Sequence, residues 1–367
     1  MLWTRVVSGN RGFSLAEVLL ALAVVLIATV PLIHVAAAGQ RLAQSQSEAT
    51  DVNQRIRIVA DRLRTDLAAA GTGVTHGPPM GSLGMYVAPI VPARLGVRLA
   101  DPAMTAARDR LTIIYVPDAA RPSPLVQPMT SAAAPLSIAP TAPGCPASGL
   151  CGFTPGQRAL LFDTSEPGAG HELFTVTGID AGLEHDSPNV PFERAYVPGH
   201  SYVVPVVQRT YYLDRAGSRV MVYDGYQTDM PLIDNVLELR FSYFADGAAA
   251  SVMLPSDAAT SNCLYDAGSP PIARLEERGR GLVELSEPDL VDGPVCGNGP
   301  LAFDGDLLRV RRIRATIRVQ AGAAEFRGRS SLFARPGHAS NSYALVPDYE
   351  VTFDVALRSM MPVTFRR

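Results

Sequence analysis

Arg11-Gly12-Phe13-Ser14-Leu15-Ala16-Glu17 sets the end of a short basic leader against a long apolar run interrupted by a single carboxylate. The run continues from Val18 to about Ala38, broken only by Thr29, Pro31 and His34. At about 1.5 Å rise per residue it extends roughly 30 Å, enough to cross a bilayer core once. An ordinary secretory signal places its apolar stretch before a cleavage site of small residues. Here Gly12 precedes the stretch, so cleavage after Gly12 would leave the anchor on the chain. Glu17 is the costly residue, because a carboxylate in the apolar part of a membrane helix calls for a partner. Cleavage after Gly12 would free the amino group of Phe13 one helical turn from Glu17, and the same amine on a neighbouring copy can act as its counter-ion. Such a helix is expected to assemble side by side with others. The plainer alternative is a signal anchor whose Glu17 sits among the headgroups.

Beyond the anchor, Leu42, Ala49, Val52, Ile56, Val59, Leu63 and Leu67 recur at steps of three and four, with Arg55, Asp61, Arg62 and Asp66 between them. The helix is therefore expected to leave the membrane and to run from Phe13 to about Ala70, stopped by Gly71 and Gly73. Its length would be about 87 Å. The second half has one apolar face to bury, which calls for a sheet against it. A heptad coiled coil fits the stripe as well, but the strand-rich remainder of the chain favours the sheet.

The predicted organisation is a leader over 1–12, a membrane-spanning half-helix over 13–38 and an amphipathic half over 39–70. A Pro- and Gly-rich connection over 71–157 and a β-rich body over 158–367 follow. Within the connection one strand stands out, Leu111-Thr112-Ile113-Ile114-Tyr115-Val116. The prolines between Ala120 and Pro146 each remove a ladder donor, so that stretch reads as a surface excursion. In the body, strands are expected at Ala159 to Phe162, Glu172 to Thr177 and Tyr202 to Leu213, the last forming a hairpin with Arg219 to Tyr223. Leu237, Leu239, Phe241 and Tyr243 alternate with polar residues, as do Tyr349, Val351, Phe353, Val355 and Leu357. Arg309 to Val319 fits a strand or a helix, and its β-branched residues favour a strand. The fold class expected is α+β, a long membrane-spanning helix packed on an antiparallel β-sheet body.

Composition fits a secreted structural protein more readily than a nucleic-acid binder: 32 basic side chains face 35 acidic ones, none of the basic ones being lysine. Removing the leader takes away Arg5 and Arg11 and leaves a formal charge of −5. Cys145, Cys151, Cys263 and Cys296 can be oxidised if the body is exported. Three connectivities are open; near-neighbour pairing closes the shortest loops. Neither spacing matches a zinc pattern, so no metal is expected.

Arg11-Gly12-Phe13-Ser14-Leu15-Ala16-Glu17-Val18-Leu19-Leu20-Ala21-Leu22 resembles the class III signal and helix start of type IV pilins and type II secretion pseudopilins. The resemblance implies that a prepilin peptidase cuts after Gly12 and methylates Phe13, and that Glu17 guides the subunit into a filament with other minor and major pilins. It implies residence in a bacterial inner membrane, with a periplasmic body, before transfer to the pilus. Pro31 stands a few residues before the family's usual helix-kinking proline, so the kink is expected to be shifted. The order of pieces, with Pro231-Leu232-Ile233-Asp234-Asn235-Val236 leading into a strand and Val355-Ala356-Leu357-Arg358-Ser359 near the end, is similar to PilW-type minor pilins. The J-type minor pseudopilin shares the plan, but is usually shorter. The resemblance thus implies a minor pilin in a tip or priming complex. A secretion pseudopilin, or a tip-displayed module for adhesion or DNA uptake, is the alternative.

Catalytic motifs are missing from the sequence: there is no GxSxG, GxxxxGK, HExxH or dinucleotide fingerprint. Neither an enzyme, nor a cofactor, nor a small-molecule substrate is expected. His171-Glu172, His185 and His200 read as scattered surface histidines, and Asp304-Gly305-Asp306 as a turn, since the other positions of a calcium loop are not there. Arg309, Arg311, Arg312, Arg314 and Arg318 form the densest basic group and are expected to guard a solvated sheet edge. No aromatics interleave with them for base stacking, which argues against a nucleic-acid partner.

Overall fold

The computed structural model describes residues 12–74, 83, 86–96, 101–117, 120–139, 152–165, 170–179, 182–186, 192–246, 281–293, 295–297, 301–327 and 346–360. Helix α1 (Leu15–Ala69) is 55 residues long, about 83 Å at the usual rise. It starts two residues later than expected, because Ser14 adopts an extended conformation (φ −74°, ψ 149°) and caps it. It ends as expected, at Gly71 and Gly73, which take φ of +79° and +65°. Pro31 lies inside the helix, which continues unbroken through it.

Residues 15–44 of α1 are exposed and burial begins at Ser45, so Leu42, placed on the buried stripe by its spacing, is instead exposed. Val52, Ile56, Val59, Leu63 and Leu67 are buried as the periodicity demands. Each fully buried aliphatic side chain contributes roughly 1.5–3 kcal/mol, and together they fix the lower half of the helix to the body.

Among the described residues the strands are β1 (Ile90–Val91), β2 (Arg110–Tyr115), β3 (Ser123–Pro124), β4 (Arg158–Asp163), β5 (His171–Gly178), β6 (Glu184–Asp186), β7 (Ser201–Asp214) and β8 (Arg219–Tyr223). They continue with β9 (Asp229–Ile233), β10 (Val236–Asp246), β11 (Leu282–Leu285), β12 (Val295–Cys296), β13 (Phe303–Asp304), β14 (Val310–Val319) and β15 (Tyr349–Ala356). The larger antiparallel sheet runs β1-β2-β7-β4-β5-β6, with β3 and β8 also on β7 and β9 beside β8. Its spine is β7, whose first half pairs with β3 and β4 and whose second half pairs with β2 and β8. The smaller sheet is β11-β10-β14-β15, also antiparallel. This is the α+β arrangement expected from the sequence. The helix packs on β14 and β15 of the smaller sheet and on β2 and β9 of the larger one. A single core joins Leu63 and Leu67 to Phe241, Ile313 and Phe353 on one side and to Leu111, Ile113 and Tyr211 on the other.

The predicted hairpin is present, with β7 and β8 in register from Thr210↔Tyr223 to Asp214↔Arg219. In β10 a register shift between Val236 and Glu238 puts Val236, rather than Leu237, into the core. Two other expectations are corrected. Arg309 to Val319 does not guard an edge: β14 is central, flanked by β10 and β15, and Arg309 belongs to a 3₁₀ turn before it. Charge density alone misplaces it, because these arginines are partnered. Arg318 and Asp348 form an ion pair at 2.7 Å with side chains 2% and 1% exposed, and Arg314 forks onto Asp354 at 2.7 and 3.1 Å. The described part of Ala120 to Pro146 is a surface excursion only in part, exposed at Val126, Gln127, Pro128, Thr130 and Ser131. Leu125, Met129, Leu136 and Ile138 are buried in a second core with Phe174, Val176 and Tyr196. Of the described prolines, Pro128 and Pro135 lie between the partners of the isolated bridge Leu125↔Ile138, and Pro124 sits in the two-residue strand β3, so no long ladder is interrupted.

The chain passes between sheets through Asp234 and Asn235. Asn235 takes φ +56°, a left-handed conformation that asparagine tolerates. Arg55 of α1 donates to the Asp234 carbonyl at 3.1 Å and to its Oδ1 at 3.2 Å. Arg327 donates to Asn235 Oδ1 at 2.7 Å, and Gln320 N–H to the Asn235 carbonyl at 3.0 Å. Glu48, on α1 before Arg55, accepts Gly322 N–H at 2.9 Å. Pro231 lies in β9, an edge strand, where a missing donor costs least.

Candidate functional site

The sequence motif that opens the chain becomes a compact polar group at the head of an apolar rod. Gly12, Phe13 and Ser14 precede the helix, and Phe13 is 85% exposed. The Ser14 hydroxyl accepts Glu17 N–H at 3.2 Å, while Glu17 Oε2 accepts Ser14 N–H at 2.9 Å and is 3.2 Å from the hydroxyl. This is a reciprocal capping box, which satisfies two of the N–H groups that a helix start leaves without an intrahelical acceptor. The negative charge of Glu17 also lies at the positive end of the helix dipole. Glu17 stands out in the sequence by its charge, and Ser14 does not. The signal was there in Ser14-Leu15-Ala16-Glu17, an S-x-x-E pattern directly before an apolar run.

The helix carries the group on a surface of Leu19, Leu20, Leu26, Ile27, Leu32 and Ile33, all more than half exposed. It is long and apolar enough to cross a membrane. Between Phe13 and Ser47 the only acid is Glu17. The arrangement offers one carboxylate and a lateral apolar face. That chemistry suits pairing of like helices.

The other sequence candidates do not converge. Cys296 is buried and disulfide-bonded; Cys145, Cys151 and Cys263 lie outside the described residues, and the pairing with them. The histidines are scattered, and His200 is exposed as expected, but His171 is buried against Tyr86, and half-buried His185 stacks on Phe192 at 4.0 Å while its Nε2 lies 3.1 Å from the Ala134 carbonyl. The rings of these two pack in the cores of the larger sheet, a placement that residue type alone did not signal. Asp304 caps the 3₁₀ turn Gly305–Arg309, accepting Asp306 N–H at 2.8 Å and Gly293 N–H at 2.7 Å, so the expected turn is present. Asp292 joins them, with one oxygen from each of the three carboxylates within 4.8 Å of the others.

Where α1 meets the body, the Tyr211 hydroxyl donates to buried Asp66, and Arg62 Nε lies 3.3 Å from the same carboxylate. Burial, and then the Asp66 charge, push the Tyr211 pKa well above the usual phenol range. It stays a donor at any physiological pH.

Burial pushes His171 down to about 4. The unfolded chain therefore binds a proton at this site below about pH 6.5 while the folded chain does not until about pH 4. Stability that His171 supports at neutral pH is lost as pH falls through this window, at most about 3 kcal/mol. Thermal unfolding of the wild type and His171→Phe across pH 4 to 7 should show a difference that grows with acidification. Parallel curves would refute the neutral buried imidazole.

No family model and no curated protein matches the chain. Among solved structures, a type IV-like pilin from Thermus thermophilus is similar over 57% of this chain and 87% of that one, at 13% identity and a TM-score of 0.19.

Proposed function

We propose that this chain is a minor pilin, a structural subunit anchored in the inner membrane by α1 and transferred from there into the tip or priming complex of a type IV pilus. A prepilin peptidase removes residues 1–12 and methylates Phe13, and other pilins are the partners. The observation that carries this reading is the conjunction at the head of α1. A Gly12-Phe13 bond in exposed, non-helical backbone is followed at once by a capped apolar helix, and Glu17 is its only acid before Glu48.

In assembly, α1 helices pack side by side in the lipid and Glu17 takes the Phe13 amine of a neighbour as counter-ion, which sets the stagger between subunits. The sheets stay outside the membrane, since helix burial begins at Ser45. Mass spectrometry of the protein from its native host should find a chain that begins at a methylated Phe13. A chain still beginning at Met1, in cells with a working peptidase, overturns the reading.

A further inference from the structure

One serine makes two hydrogen bonds at the start of α1, and its hydroxyl supplies the cap. Ser14 Oγ accepts Glu17 N–H and Ser14 N–H donates to Glu17 Oε2. The first carbonyl drawn into the helix ladder is that of Ser14, which accepts Val18 N–H at 3.2 Å. Gly12 and Phe13 stand before it, exposed and outside the helix. If the helix started at Phe13 instead, the Gly12 carbonyl would accept Ala16 N–H in the i to i−4 pattern.

That carbonyl is the atom group attacked when the leader is removed. Hydrolysis adds water across the Gly12–Phe13 bond, leaving a carboxylate on Gly12 and an amine on Phe13. We infer that Ser14 is a positioning residue for leader cleavage: by fixing the helix start at Leu15 it keeps the Gly12 carbonyl out of the helix ladder, in non-helical backbone that a peptidase can bind. The inference rests on the processing proposed above. Alanine is the strongest helix former and one of the poorest caps, so at position 14 it favours extension of the helix toward the scissile bond.

The test uses full-length chains in membranes that contain a prepilin-type peptidase, with the cleaved fraction followed by mass spectrometry. Ser14→Ala should be cut about fivefold more slowly, the shift expected from the loss of a good cap. Ser14→Thr, which keeps the hydroxyl, should be cut at the wild-type rate. Adding Leu15→Pro to Ser14→Ala should restore cleavage without any hydroxyl, because proline suits the first helical position and drives the preceding residue out of the helical region. Wild-type cleavage of Ser14→Ala overturns the inference. So does a Ser14→Ala/Leu15→Pro chain that stays slow while Ser14→Thr is normal, since the peptidase would then be recognising the hydroxyl itself. A wild-type chain that is never cut defeats the processing proposal instead.

Discussion

Glu17→Ala is expected to remain in the membrane and to disappear from filaments. The substitution leaves the apolar run of α1 intact, so insertion should be unchanged, and Ser14 can still accept the N–H of residue 17, so the helix start survives. What is lost is the only negative charge in the spanning half, and with it the proposed counter-ion for a neighbour's amine. Carbonate extraction should find the variant in the membrane pellet at wild-type levels. Immunoblots of sheared pili should find incorporation reduced to background, and normal incorporation would defeat the proposed role of Glu17.

Asp348→Ala is expected to lose about 3–5 kcal/mol of folding stability, the usual result of removing one partner from a buried ion pair. Arg318 and Asp348 are both almost fully buried, and their contact holds the segment before β15 against the central strand of the smaller sheet. Replacing both, as Arg318→Met with Asp348→Leu, should recover much of that loss, because no charge is then left in the interior. Denaturant unfolding of the detergent-solubilised chain compares the variants. A single substitution costing less than about 1 kcal/mol would place this pair among surface-like bridges, and its burial would have no energetic meaning.

The helix was legible because its signals are local and redundant: a long apolar run with few interruptions, then a three-and-four stripe, then two glycines. The hairpin over β7 and β8 and the alternation in β15 were legible for the same reason, since a period of two shows in a handful of residues. What the sequence concealed depends on partners far along the chain. Arg318 reads as a surface charge until Asp348 is set beside it, and Leu125 and Ile138 read as strays among prolines until Phe174 and Tyr196 close over them. Likewise, His171 is neutral and buried only because Tyr86 and the strands of the larger sheet enclose it. At the candidate site, Gly12, Phe13 and Glu17 came from a linear motif, and the same motif held Ser14, whose role appears once its hydroxyl is seen facing Glu17 N–H.

Arg55 reaches from the stem to Asp234, the point where the polypeptide leaves one sheet for the other, and Glu48 grips the loop after β14. If a filament is hauled on while its tip is held, the tension travelling down α1 reaches both sheets, through these contacts and through the core that the helix shares with them. The body is thereby loaded through both sheets together.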